Sequence, residues 1–314
     1  MQQNYLLPQT KSEEAFDKLL HQLREFYKNK PKAHKGKAFE KLVQVFFEND
    51  SEYKGQIGKV YLWSEWSGRD GQDIGIDLVA EDLEQQGKFW AIQCKFYGED
   101  NKITKDDIYS FLVTAEKEKY SYRLMVATGP GISANIEKIM ADRKYPSGFL
   151  NEEQLRSASF DWRNYHLPEI ESAEEFTLRH EKEKPKQLPK KTIKPHQTDA
   201  ITACIENFKT HDRGKLIMAC GTGKTFASLK LMEAMVKPGE LVVFFTPSIS
   251  LLAQTRKEWM METEKPINPF IICSDISVGN NEDDIKTYDL PYPTTSGEKL
   301  TQQIESKKNI MLSM

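Results

Sequence analysis

The run Gly75-Ile76-Asp77-Leu78-Val79-Ala80, taken with Ala91-Ile92-Gln93-Cys94-Lys95-Phe96, decides how the first half of the chain folds. Each piece is apolar and of strand length. The connection from Glu81 to Lys88 is polar and holds Gly87, so it reads as a turn, and the two runs read as an antiparallel pair. Side chains alternate faces along a strand. Asp77 therefore points away from Ile76 and Leu78, and Gln93 shares a face with Lys95, opposite Ile92 and Cys94. A carboxylate, a carboxamide and an ammonium converge at the edge of one small sheet.

Working outward, residues 11–29 predict an amphipathic helix through Phe16, Leu19, Leu20, Leu23 and Phe26, and 36–48 a second one that carries Glu40 beside its apolar side. The stretch 28–41 is basic (Lys28, Lys30, Lys32, Lys35, Lys37, Lys41), either a solvated face or a patch for phosphates. A strand is expected over 60–66, a helix over 104–119 opened by Thr104 with Asp106 and Asp107 in its first turn, a strand over 122–128 and a helix over 132–140. Together these make a compact α/β unit. Asp70 and Asp73 read as polar loop residues.

Composition changes between Glu171 and Lys194, where charges dominate and Pro185 and Pro189 punctuate. We read residues 1–165 as one domain, 166–194 as a charged linker and 195–314 as a second domain. The second repeats an α/β pattern: helix over 196–208, strand over 214–219, helix over 224–236, buried strand over 241–246, helix over 248–260 and a short strand over 270–273. Alternation of this kind implies a parallel sheet. Residues 309–314 look like the opening of a further strand.

The 314 residues carry a net charge of only −3, so contact with nucleic acid must come from local patches rather than a global field. The four cysteines (Cys94, Cys204, Cys220, Cys273) are far apart and form no CxxC, which argues against a zinc site or a disulfide framework and fits a cytoplasmic protein. No signal-peptide core and no apolar run long enough for a bilayer is present, so no membrane partner is expected.

Two groups of residues carry chemistry. Phosphodiester hydrolysis needs an activated water and a stabilised, charge-rich transition state, and Mg²⁺ serves both needs when held by hard oxygen ligands. Asp77 offers a carboxylate, Gln93 an amide oxygen and Cys94 its backbone carbonyl, while Lys95 can orient water or neutralise phosphate and Glu40 can reach the same edge. This combination resembles the PD-(D/E)xK nuclease superfamily in its Mrr-like branch, over roughly residues 35–145, with Gln93-Cys94-Lys95 as a Q-x-K and Glu40 as the helical Glu. No Pro precedes Asp77, a departure common in that branch.

The second group is Met218-Ala219-Cys220-Gly221-Thr222-Gly223-Lys224-Thr225, after an apolar run and before a helix. That context suits a phosphate loop for ATP: glycines let backbone N–H groups face the phosphates, Lys224 reaches the β- and γ-phosphates and Thr225 holds Mg²⁺. It resembles motif I of superfamily 2 helicases. Lys194-Pro195-His196-Gln197 resembles their Q-type motif, which implies Gln197 as adenine reader, and 242–255 resembles their motif Ia. The nearest acidic group to a motif II, Glu282-Asp283-Asp284, sits in loop-like sequence. The chain is therefore expected to bind ATP weakly and not to turn it over, as a fragment or a truncated gene product.

The order nuclease, linker, helicase is similar to the amino-terminal part of single-polypeptide (type ISP) restriction–modification enzymes, and Trp90 to Tyr97, Phe160-Asp161-Trp162 and Pro293-Thr294-Thr295 favour that family. The resemblance implies a PD-(D/E)xK nuclease domain followed by a partial RecA-like domain, a Mg²⁺-dependent endonuclease coupled to a translocase on double-stranded DNA, and further methyltransferase and target-recognition domains. Two alternatives stay open: an ATP-driven helicase or remodeller whose nuclease-like domain only grips DNA, and a non-catalytic DNA-binding fragment.

Overall fold

The two quoted runs pair as expected. In the computed structural model β2 (Leu78–Asp82) lies antiparallel to β3 (Phe89–Lys95), with Leu78 opposite Ile92 and Ala80 opposite Trp90. The structure describes residues 8–26, 28, 32–69, 75–98, 103–129, 132, 136, 140, 147–166, 185–273 and 296–306. The expected helix over 132–140, most of the linker, Asp70, Asp73, Glu282 to Asp284, Pro293 to Thr295 and 309–314 lie wholly or largely outside those residues. The chain divides into two compact units, Met1–Pro189 and Lys190–Met314.

In the first unit β1 (Ile57–Leu62), β2, β3, β4 (Tyr120–Ala127) and β5 (Ser147–Leu150) form a five-stranded sheet in that order. β1–β2 and β2–β3 are antiparallel, β3–β4 and β4–β5 parallel. All eight residues of β4 are buried, as a strand covered on both faces requires. Helices α1 (Pro8–Phe26) and α2 (Lys32–Asn49) precede the sheet, and α2 packs on β1 and β3. Helix α3 (Lys105–Thr114) crosses from β3 to β4, and the short α4 (Glu152–Arg156) follows β5.

Three sequence expectations need correction here. The strand expected over 60–66 ends at Leu62, and Trp63–Glu65 form one 3₁₀ turn. A strand would send Trp63 and Trp66 to opposite faces. The turn brings both indoles to one side, 5.7 Å apart, where Trp66 also packs on Phe89 at 5.0 Å. The helix expected to reach residue 119 stops at Thr114. Buried Arg123 on β4 collects the carbonyls of Ala115 (2.6 and 2.9 Å) and Lys117 (3.3 Å), satisfying the helix end with a cation. β5 was not expected at all: four residues that include Gly148 give no periodic signal.

The end of the linker belongs to the first unit. Gln187 bridges antiparallel to Phe160, and its amide reaches the Asn49 carbonyl at 2.9 Å.

The second unit contains α5 (Pro195–Phe208), α6 (Lys224–Met235), α7 (Ile249–Glu262) and α8 (Gly297–Ser306). Its core gathers Leu229, Met232, Leu252, Trp259, Ile267, Ile271 and Cys273. The runs 214–219 and 241–246 were expected as strands, the second buried. Among the described residues neither joins a ladder. Period two survives without the sheet: Val242 and Phe244 pack on the core, while Leu241, Val243 and Phe245 face out, Phe245 at 77% exposure. A parallel strand needs neighbours on its edges to be buried, and these runs have none among the described residues.

Candidate active site

Sheet register positions the first group. The Asp77 amide donates to the Ile92 carbonyl (2.9 Å), and the Trp63 amide donates to the Asp77 carbonyl (2.8 Å), so Asp77 is held between β1 and β3 just ahead of β2. Its Oδ2 accepts the backbone N–H of Cys94 at 2.6 Å. Gly75 turns the chain ahead of Asp77 at φ +81°, a conformation that favours glycine, while a Cβ there would only reach ordinary contact with Gln93 Nε2 at 3.4 Å. Gln93 is only 5% exposed, and its Oε1 is buried without a hydrogen-bond partner.

The Cys94 thiol reports on the charge around it. Burial pushes its pKa well up, and the carboxylates of Asp77 and then Glu40 push it the same way. Both acids therefore act on one strand position, although they come from a strand end and from α2. Glu40 Oε1 also stands 3.8 Å from where a Cβ on Gly36 would be. Among the described residues no group of three or more His, Cys, Asp and Glu could hold a metal ion. A site here must be completed by neutral oxygens, and the orphaned Gln93 amide oxygen is one.

Lys95 is placed differently from its sequence neighbours. Its ammonium lies 3.6 Å from Asp107 in the first turn of α3. Asp107 Oδ2 also accepts from Tyr97 Oη (2.9 Å), the Thr104 hydroxyl (2.6 Å) and the Thr104 amide (3.0 Å), closing a capping box. Burial pushes the Asp107 carboxyl up, but the Thr104 and Tyr97 bonds and the Lys95 charge outweigh it, and its pKa falls below the ordinary value. Burial, then the bond to Asp107, raises the Tyr97 phenol. Its place in the first turn of α3 predicts a helix-capping charge alone; the pairing with Lys95 is a contact across the fold that no local pattern announces.

The expected phosphate loop is built locally. Gly221 (φ +76°) and Gly223 (φ +80°) turn the chain into α6, with Gly223 as its N-cap. The positive φ favours glycine at 223, and a Cβ there would meet Gln197 Nε2 at 2.5 Å and push that amide aside. Thr222 Oγ1 donates to the Ala219 carbonyl (2.7 Å), and Lys224 Nζ donates to the same oxygen (3.3 Å). A cavity of about 210 Å³ is lined by Leu216, Met218, Lys224, Thr225, Ser228 and Phe244. The Thr225 carbonyl accepts the Trp259 indole N–H at 3.1 Å, tying α6 to α7.

Gln197 sits against this loop, buried, with both ends of its amide engaged: Oε1 accepts the Lys194 amide (2.9 Å) and Nε2 donates to the Thr222 carbonyl (3.0 Å). His196 Nε2 lies 3.1 Å from the same carbonyl. Here Gln197 buttresses the loop, and each end of its amide makes one of the two hydrogen bonds it can form.

A restriction endonuclease family matches residues 48–171, and the type III restriction enzyme res-subunit family matches residues 190–312. The first match holds Asp77, Gln93 and Lys95 and begins downstream of Glu40; the second holds the phosphate loop. A solved structure of the ATP-dependent type ISP restriction–modification enzyme LlaBIII bound to DNA is 30% identical over 95% of this chain, with a TM-score of 0.76. This chain carries a restriction endonuclease domain followed by a res-subunit helicase domain, and over both it matches part of a type ISP restriction–modification enzyme.

Along the chain the endonuclease match comes first and the res-subunit match second. The chain spans 18% of the LlaBIII chain. A nuclease-deletion mutant of the type ISP enzyme LlaGI, solved with a DNA substrate mimic, is 34% identical over 39% of this chain and 12% of that one, at a TM-score of 0.33. The MspJI restriction endonuclease with a 27-mer oligonucleotide is 17% identical over 46% of this chain and 30% of that one, at 0.32. No curated protein sequence matches the chain. No helix among the described residues is long and apolar enough to cross a membrane.

Proposed function

We propose that the first unit hydrolyses phosphodiester bonds of double-stranded DNA with Mg²⁺. The second unit binds ATP with Mg²⁺ as part of a translocase on the duplex, and the two serve a restriction system directed at phage DNA. The observation that carries the nuclease reading is the buried amide oxygen of Gln93, left without a partner beside the strand that bears Asp77. An orphaned buried acceptor costs about 1–3 kcal/mol, and a cation with hard-oxygen preference removes that cost. Asp77, Gln93 Oε1 and the Cys94 carbonyl would hold Mg²⁺, which keeps waters and takes a substrate phosphate in its remaining positions. Bound there, the ion supplies an acidified water and a counter-charge for the phosphoryl oxygens.

The chain's own groups do the rest. The Cys94 N–H fixes one Asp77 oxygen and so orients the carboxylate. Glu40 adds negative potential at the same strand position. Lys95 meets the phosphate only if its ammonium shares or leaves Asp107. In the second unit, Gly221 to Gly223 present backbone donors at the start of α6, and Lys224 exchanges the Ala219 carbonyl for the β- and γ-phosphates. Thr225 would hold the nucleotide's Mg²⁺. The four cysteines are free, which suits a reducing cytoplasm.

Asp77→Ala and Lys95→Ala test the reading in a DNA cleavage assay run over a Mg²⁺ series. Each should lower cleavage by about 10²–10³-fold or more, the scale of removing one group that stabilises developing charge. Wild-type cleavage in both variants would put the cutting elsewhere than Asp77 and Lys95 and leave their site as one that at most grips DNA.

A further inference from the structure

The Phe96 ring, directly after Lys95, gathers two cations. Lys35 Nζ lies 4.5 Å from its centroid and the Arg24 guanidinium 5.8 Å. Phe39 packs on the same ring at 5.1 Å. Lys35 and Phe39 are four residues apart on α2, hence on one face, and Glu40 follows Phe39. The two charges share a ring at a cost: burial, and then the Arg24 charge, lower the Lys35 pKa. Arg24 has Glu152 at 3.3 Å. Among the described residues no carboxylate or carbonyl takes the Lys35 ammonium, and a π face cannot satisfy three N–H donors.

We propose that Lys35, with Arg24 beside it, forms a subsite for one backbone phosphodiester of the DNA, next to the phosphate that is cut. A phosphodiester carries one negative charge and two free oxygens, enough to bridge an ammonium and a guanidinium. Phe96 fixes the subsite relative to Lys95 through one peptide bond, and α2 fixes it relative to Glu40. The subsite would seat the strand by its backbone, without reading sequence. It rests on the nuclease reading for its substrate, but it concerns binding and not bond cleavage.

The test uses the 314-residue chain, a short labelled duplex and fluorescence anisotropy in EDTA, so that no cleavage step enters. Affinity is followed between about 50 and 200 mM salt, where each phosphate contact adds about 0.9 to the slope of log K against log salt. Lys35→Gln and Lys35→Met should each reduce that slope by about 0.9 and weaken binding several-fold at low salt. Lys35→Arg should restore both. Lys59→Gln is the control: Lys59 lies 4.8 Å over Tyr61 on β1 and should change neither. Lys35→Met retains an apolar stem on Phe96, so it remains informative if the Gln variant misfolds. Either Lys35 variant, melting like wild type and binding with wild-type slope and affinity, overturns the subsite. Loss of slope with cleavage indifferent to Asp77→Ala would keep the subsite and remove the nuclease reading.

Discussion

The two units build their sites by opposite means. In the first, Asp77 and Gln93 are sixteen residues apart in sequence and meet because β2 and β3 pair in one register, with Leu78 opposite Ile92. A shift of one residue would send Gln93 and Lys95 to the other face. In the second, the phosphate loop is a single run from Met218 to Thr225. Two glycines with positive φ and the start of α6 shape it, and it forms although 214–219 and 241–246 have no ladder partners among the described residues. A site made by pairing inherits the stability of its sheet. A site made by a turn and a helix end inherits that of its local packing.

The largest effect that should separate the two comes from deleting one indole in each unit. Trp90 is fully buried on β3, with its ring 4.6 Å from Tyr122 and 6.3 Å from Tyr53. Trp259 is 2% exposed, packs 5.1 Å from Phe244 and donates to the Thr225 carbonyl. Trp→Ala at either should cost about 3–5 kcal/mol. Calorimetry of Trp90→Ala should show the first unit melting early, with loss of DNA cleavage and retention of nucleotide binding; Trp259→Ala should do the reverse. Loss of both functions from either substitution would break the comparison, since it would mean that the units fold as one.

A smaller effect sharpens the claim that the phosphate loop is a local device with one outside support. Gln197→Ala removes the bond to the Thr222 carbonyl and the acceptor for the Lys194 amide. A net hydrogen bond is worth about 1 kcal/mol, so ATP affinity should fall about five- to tenfold. Binding of nucleotides with other bases should fall equally if Gln197 acts through the loop. A loss confined to adenine nucleotides would instead make it the base reader that its motif suggests. Equilibrium titration with ATP and GTP distinguishes the two.

How much of this was legible follows the same division. The turn from Met218 to Thr225 into α6 could be read almost whole, because it is written in consecutive residues and in the glycines that permit it. The Asp77–Gln93 meeting was legible only through strand alternation and a short polar connection, and that sufficed because nothing interrupts the hairpin. What escaped was non-local. The Trp63–Trp66 turn is set by indole packing against Phe89, and the end of α3 by Arg123 from the next strand. The pairing of Lys95 with Asp107 needs the whole β3–α3 connection. The extended runs of the second unit show the converse: alternation of Val242 and Phe244 with Val243 and Phe245 is a strand pattern, but a pattern does not supply the partner that makes a ladder.

The smallest effect concerns that Lys95–Asp107 contact. Asp107 has its pKa depressed in the folded chain, chiefly by Thr104 and Tyr97 acting against burial. A depressed carboxyl contributes stability that is complete above its unfolded pKa, near 3.9, and is lost as pH falls through the lower folded value. Asp107→Asn keeps the shape and removes the charge from the first turn of α3. It should cost about 0.3–1 kcal/mol at neutral pH, the scale of one helix-end charge, and the deficit should shrink as pH drops below about 4. Thermal melts of both proteins from pH 7 to 3 measure this directly. The same variant frees Lys95 from its 3.6 Å partner. If Asp107 only caps the helix, cleavage should track stability. If it holds the ammonium in reserve, cleavage at neutral pH should change while the melting curve hardly moves, and the register-built site would then have a second element, α3, that sets where its lysine rests.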